Sequence, residues 1–149
     1  MSEVLFYQLD RRPLESVLPE LLEKCLERRW RTVVQVGSDE RLMALDAHLW
    51  TYADESFLPH GTAKDGRPDA QPVYITASAE NPNAATVRFL ADGAEIDDYA
   101  SYQRVVVLFD GNDSEAREKA RASWTAAKGA GHEATYWQQG ERGGWVKKG

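Results

Sequence analysis

The stretch LDAHLWTYADESFLPHG, residues 45–61, sets Glu55 five positions before His60, with Phe57 and Pro59 between them. A carboxylate and an imidazole at short range can act as acid and base, provided that a neighbour tunes the imidazole and a pocket holds a substrate. A second candidate is FDGND, 109–113. Asp110 closes an apolar run, where doubly wound folds often carry metal ligands, and with Asp113 it has the oxygen chemistry for Mg²⁺. The third is AREKARASWTAAKGAG, 116–131. On a helix turning about 100° per residue, Arg117, Arg121, Trp124 and Lys128 fall within about 60° of one another. They form a basic stripe with an indole in its middle.

The first two have plainer readings. Gly-Asn-Asp is turn chemistry, and Asp113 or Ser114 suits a helix N-cap. His60 follows a proline in a loop, where a histidine can simply close a turn. His48, His60 and His132 show no H-x-x-x-H or similar ligand spacing. The sequence lacks G-x-x-x-x-G-K-[ST], G-x-G-x-x-G after its first strand, and G-x-S-x-G. The first strand ends in LDRRP, with no glycine to let a phosphate approach the backbone. A nucleotide or hydride enzyme is therefore not expected. A small α/β enzyme, or a nucleotide- or metal-binding protein using Asp110, Asp113 and His60, stands as the alternative reading, and a general nucleic-acid binder as a second rival; neither has a motif behind it. The stripe on 116–131 reads either as a solvated charged face or as a positive patch with an aromatic floor. The second form suits an anionic partner with an aromatic group, because arginine forks grip carboxylates and exposed rings anchor interfaces.

These residues need elements to position them. Val4 to Leu9 and the β-branched run 31–37 read as strands, as do 72–76 and 85–90. The run RVVVLFD, 104–110, is the most apolar of all and is expected in the centre of a sheet. Leu14, Val17, Leu18, Leu21, Cys25 and Leu26 recur at helical spacing, as do Leu42, Leu45 and Leu49 after a Ser38 cap. Trp50 sits at the margin of that second apolar face. EIDDYASY is expected to form a short helix, and GNDSEA to open a longer one that runs to about Lys128 and ends at Gly129 and Gly131. HEATYW, 132–137, is a last strand, and residues 138–149, with four glycines, read as a flexible C-terminal tail. Strands alternating with helices predict one α/β domain over 1–137, a three-layer α/β/α fold with a largely parallel central sheet.

The bulk properties narrow the function. The chain has 149 residues and a net charge of −6, with 42% hydrophobic and 28% charged residues. That charge argues against a protein that grips a phosphate backbone, so any DNA contact is expected to be indirect. A single cysteine, Cys25, allows no internal disulfide and fits a reduced, cytoplasmic setting. No apolar run approaches the roughly 20 residues of a membrane span.

Several segments taken in order resemble one family. FYQLD, LDAHLW, ESFLPH, ARASW with the following G-x-G-H, and TYW together resemble the chi subunit of bacterial DNA polymerase III holoenzyme, across about residues 3–137. The resemblance implies a non-catalytic accessory subunit of the clamp loader, with a three-layer α/β/α fold and no cofactor. It implies two partners, the acidic, phenylalanine-ended C-terminal tail of single-stranded-DNA-binding protein and the psi subunit, for a chain monomeric on its own. By position, Arg121 looks like the arginine that contacts the tail, and Trp124 stands where an aromatic, often tyrosine, completes the pocket. Trp50 and Phe57 look like an aromatic wall. Arg117 occupies a position that is often lysine, and Phe109 lies near the pocket. Lys128 is added by the helical stripe alone.

Overall fold

The structure, a computed structural model, describes residues 2–51, 60–63, 67–96, 98–140 and 144–148, with the side chains of Trp50, Thr51 and Pro68 outside that description. Seven strands form one sheet: β1 (Glu3–Leu9), β2 (Thr32–Gln35), β3 (Val73–Thr76), β4 (Val87–Leu90), β5 (Arg104–Asp110), β6 (Glu133–Gln139) and β7 (Trp145–Lys147). Their order across the sheet is β3-β2-β4-β5-β1-β6-β7. The first six run parallel, and β7 alone is antiparallel to its neighbour β6. The apolar run 104–110 is the middle strand, as its composition requires of a segment covered on both faces.

Among the described residues three α-helices cover the sheet: α1 (Leu14–Glu27), α2 (Asp39–Thr51) and α3 (Ser114–Gly129). The strand period of two sorts the core into two layers. Leu9, Val34, Ile75, Phe89, Val106 and Leu108 face α1 and α2, meeting Val17, Leu18, Leu22, Leu45 and Leu49. Val4, Phe6, Val33, Tyr74, Val105 and Phe109 face the other way, onto Ala120 and Ala127 of α3. The domain is thus a three-layer α/β/α sandwich, with α1 and α2 on one side and α3 on the other. Among the described residues no helix is long and apolar enough to cross a membrane.

Two expectations are corrected. Of EIDDYASY, the described residues contain no helix. The Asp98 carboxylate accepts from the Ser101 amide at 3.2 Å and from its hydroxyl, which closes a turn instead. Ile96, Tyr99 and Tyr102 then lie along the α3-side core as a cover for the part of the sheet that α3 does not reach. The stretch from residue 138, read as a flexible tail, carries strand pairing. β6 runs on to Gln139, and Trp145–Lys147 folds back on it through Gly140 and Gly144, whose backbones bond at 2.7 Å. Trp145 packs on Tyr7 with ring centroids 4.6 Å apart, and that long-range ring contact is what a glycine-rich composition conceals.

Candidate partner-docking site

Helix α3 begins where the turn after β5 ends. Asp113 caps it, its side chain accepting from the amides of Glu115 at 3.0 Å and Ala116 at 3.3 Å. Ala120 and Ala127 are buried, so small side chains let the helix lie close on the sheet. Arg117, Arg121 and Lys128 are exposed beside them, and Trp124 is half-buried.

Trp124 meets Tyr136 of β6 edge to face, with centroids 6.5 Å apart, and Tyr136 meets Phe109 of β5 at 5.7 Å. Three rings from three elements thus make a continuous wall beneath the basic stripe. Lys128 Nζ lies 4.1 Å from the centre of the Trp124 ring, a cation–π contact. Arg117 Nη1 donates to the Gly111 carbonyl at 2.9 Å, which steers that side chain toward the start of the helix. Burial pushes the Tyr136 phenol above its usual pKa, while Arg121 and Arg117 pull the other way and Asp10 adds to the rise. Both guanidinium groups therefore act on the same phenol. Among the described residues, no carboxylate pairs with Arg117, Arg121 or Lys128. Trp124 Nε1 is buried with no hydrogen-bond acceptor among those residues. The patch offers unpaired cations and an unused donor beside aromatic surface, on a chain of net charge −6.

The structure thus brings together Phe109, Arg117, Arg121, Trp124 and Lys128. It adds Tyr136, which reasoning from the helix alone missed. The signal was present in HEATYW: Ala134 and Tyr136 alternate inward in register with Val4 and Phe6 of β1. Phe57 lies outside the described residues, as do Glu55 and the side chain of Trp50. The helix that carries Trp50 packs in the α1 layer, across the sheet from α3.

The acidic and imidazole candidates are dispersed. Asp113 is occupied as the α3 cap, and Asp110 accepts from the Asn112 amide at 2.9 Å in the turn. His60 is buried with its Nε2 3.0 Å from Asp46 Oδ1. The adjoining Gly61 bridges to Tyr74 on edge strand β3, whereas Asp110 ends β5 three strands away. Among the described residues, no group of three or more His, Cys, Asp or Glu side chains is placed to hold a metal ion.

A cavity of about 850 Å³ lies at the carboxyl ends of β1, β4 and β5, where open α/β sheets commonly bind ligands. Three of its cationic side chains are already engaged. Arg12 pairs with Glu20, Arg41 with Glu15 and Asp92, and Lys119 with Glu95. The amides of Asp10, Arg11 and Arg12 converge at 2.7–3.0 Å on one oxygen, the side-chain carbonyl of Gln139. A side chain of β6 therefore fills the backbone nest that a phosphate would need.

The family described as "DNA polymerase III chi subunit, HolC" matches residues 1–135. A protein named probable DNA polymerase III subunit chi, from Rickettsia prowazekii (strain Madrid E), is 28% identical over 109 residues, 73% of this chain. The match spans 66% of that relative, just under two thirds of its length. DNA polymerase III subunit chi from Escherichia coli (strain K12) is 25% identical over 138 residues, 88% of this chain and 94% of the relative.

Proposed function

The chain belongs to the DNA polymerase III chi subunit family, and from that premise we propose that it is a non-catalytic adaptor in DNA replication. Its α3 face docks the acidic, phenylalanine-ended C-terminal tail of single-stranded-DNA-binding protein and so links that protein to the clamp loader. A psi subunit, where the source organism has one, is the clamp-loader-side partner, and DNA is reached only through the tail's owner. The observation that carries the reading is the Arg121 guanidinium, which no carboxylate pairs among the described residues, beside the Phe109–Tyr136–Trp124 ring wall.

The docking follows from these parts. The tail's terminal ring packs on the aromatic wall, which removes apolar surface worth about 2–3 kcal/mol from water. Its terminal carboxylate takes the Arg121 fork, a charge-assisted contact worth about 1.5–3 kcal/mol. Upstream aspartates meet Arg117 and Lys128. After the cost of association, an affinity on the order of micromolar follows. The resemblance also names Trp50 and Phe57; the helix that carries Trp50 packs across the sheet from α3, so their contribution is a separate question that substitution answers.

Fluorescence anisotropy with a labelled copy of the tail tests the reading. The intact peptide should bind in the micromolar range and weaken as salt is raised. Arg121→Ala, or a peptide lacking its terminal phenylalanine, should abolish binding. Absence of binding by the intact peptide, or equal binding by Arg121→Ala, overturns it.

A further inference from the structure

A second aromatic and basic crevice lies in the α1 layer, across the sheet from α3. It holds about 210 Å³ and opens between the end of α1 and the β6–β7 hairpin. Tyr7 of β1, Trp30 and Trp145 of β7 provide its rings, and Lys24, Arg28 and Arg104 its cations; Phe89 and Val106 lie at its floor. All three rings are partly exposed. The guanidinium carbons of Arg28 and Arg104 lie 4.9 Å and 5.1 Å from the centre of the Trp30 ring. Arg104 also pairs with Glu3 at 3.1 Å. Among the described residues no carboxylate pairs with Lys24 or Arg28.

Two of the crevice's three cations, Lys24 and Arg28, have no carboxylate partner among the described residues, and on a chain of net charge −6 they call for an anion from outside. The form of that anion follows from how the rings are used. Two guanidinium groups already lie over Trp30, and Tyr7 and Trp145 pack on each other with centroids 4.6 Å apart. A nucleobase seeking a stacking face finds these rings engaged. A guanidinium lying on a ring still presents its N–H edge, and that edge fits a carboxylate. The remaining apolar floor accepts an aliphatic side chain.

We propose that this crevice is a second docking site, which takes an acidic segment with an apolar side chain from a partner protein. Because it lies in the layer opposite α3, a ligand here and a ligand on the Arg121 face do not compete for space. The crevice shares no residue with the α3 face.

The test uses the full chain with Arg121→Ala, so that binding at the α3 face does not contribute. The probe is the tetrapeptide Asp-Glu-Asp-Leu, which carries no aromatic signal. It is followed by the indole N–H resonances of Trp30 and Trp145, assigned by Trp→Phe substitution. Both resonances should move in a saturable, salt-weakened titration. Lys24→Glu together with Arg28→Glu should weaken the binding at least tenfold; both side chains are exposed, and Lys24→Gln with Arg28→Gln provides a milder pair if the reversal perturbs folding. Resonances that do not respond, or that respond equally in the charge-altered proteins, overturn the proposal. So does movement with oligo(dT) and not with the peptide, which would assign the crevice to nucleic acid. Loss of tail binding by Arg121→Ala is read separately, so either site can fail without the other.

Discussion

The imidazole of His48 supplies the hydrogen bond that Pro19 cannot. Pro19 lies inside α1 and has no N–H, so the Glu15 carbonyl one turn earlier lacks its helical donor. His48 of α2 fills the gap, its Nε2–H donating to Glu15 O at 2.6 Å. A helix defect is thereby converted into a tie between α1 and α2. His48→Ala should lower stability by about 1–2 kcal/mol. In a Pro19→Ala background, the restored backbone N–H at position 19 competes for the same carbonyl, so the loss should shrink. A urea-unfolding double-mutant cycle measures the coupling, and simple additivity would refute the link.

Trp124 is the hinge of the proposed α3 site, because it touches both Tyr136 and Lys128. Trp124→Ala should weaken tail-peptide binding at least tenfold, about 1.4 kcal/mol or more. Trp124→Tyr retains a ring with a polar edge and should weaken it only a few-fold. Anisotropy titrations of both variants discriminate between loss of ring surface and general damage to the helix.

Among the described residues Arg88 is the largest fully buried side chain, and it makes no direct ion pair there. Its guanidinium donates to Gln35 Oε1, to the carbonyls of Ser78 at 2.7 Å and Glu80 at 2.9 Å, and to Tyr102 Oη at 3.0 Å. Burial lowers its pKa, with Tyr102 and Glu80 opposing. It pins the loop after β3 to the sheet. Arg88→Met should leave those acceptors without donors and cost about 3 kcal/mol or more. Urea midpoints report it, and a loss below about 1 kcal/mol would mean that water takes over the role.

The acid dependence of stability has a traceable contributor. Arg41 donates to Glu15 at 2.9 Å and, as the largest cause, holds that carboxyl below its usual pKa; burial opposes. A lowered folded-state pKa gives stability that is present above the unfolded value and lost as pH falls through the folded one. Arg41→Gln should therefore lower the urea midpoint at neutral pH and leave it nearly unchanged near pH 3, narrowing the gap between the two. Each side chain is 39% exposed, so water screens the pair and the effect stays below about 1 kcal/mol. An unaltered gap would assign the acid sensitivity to other groups.

The elements were readable wherever one residue type dominated a local period. The β-branched runs became β2, β3 and β5, and the Ser38 and Asp113 caps sit before α2 and α3. The order of strands was not readable, because nothing local in RVVVLFD states that it lies between β4 and β1. EIDDYASY has helix-compatible residues, but tertiary contacts of Tyr99 and Tyr102 outweigh a weak propensity. The order in residues 138–149 is equally non-local: Trp145 packs on Tyr7, far away in sequence. In the α3 site, helical spacing revealed the stripe, whereas Tyr136 enters through the pairing of β6 with β1, which a single helix does not encode.

The central position of β1 has a consequence for how the chain is made. Its neighbours are β5 and β6, so Glu3 meets Arg104 101 residues later, and Ser2 meets His132 130 residues later. During synthesis both edges of β1 stay unpaired until nearly all of the domain has left the ribosome, and such distant pairings close slowly. The segment that closes them, β5–α3–β6, is also the one that carries Phe109, Arg121, Trp124 and Tyr136. An incomplete nascent chain therefore has no finished α3 face, and the surface proposed to recruit a partner arrives with the last strands that complete the sheet.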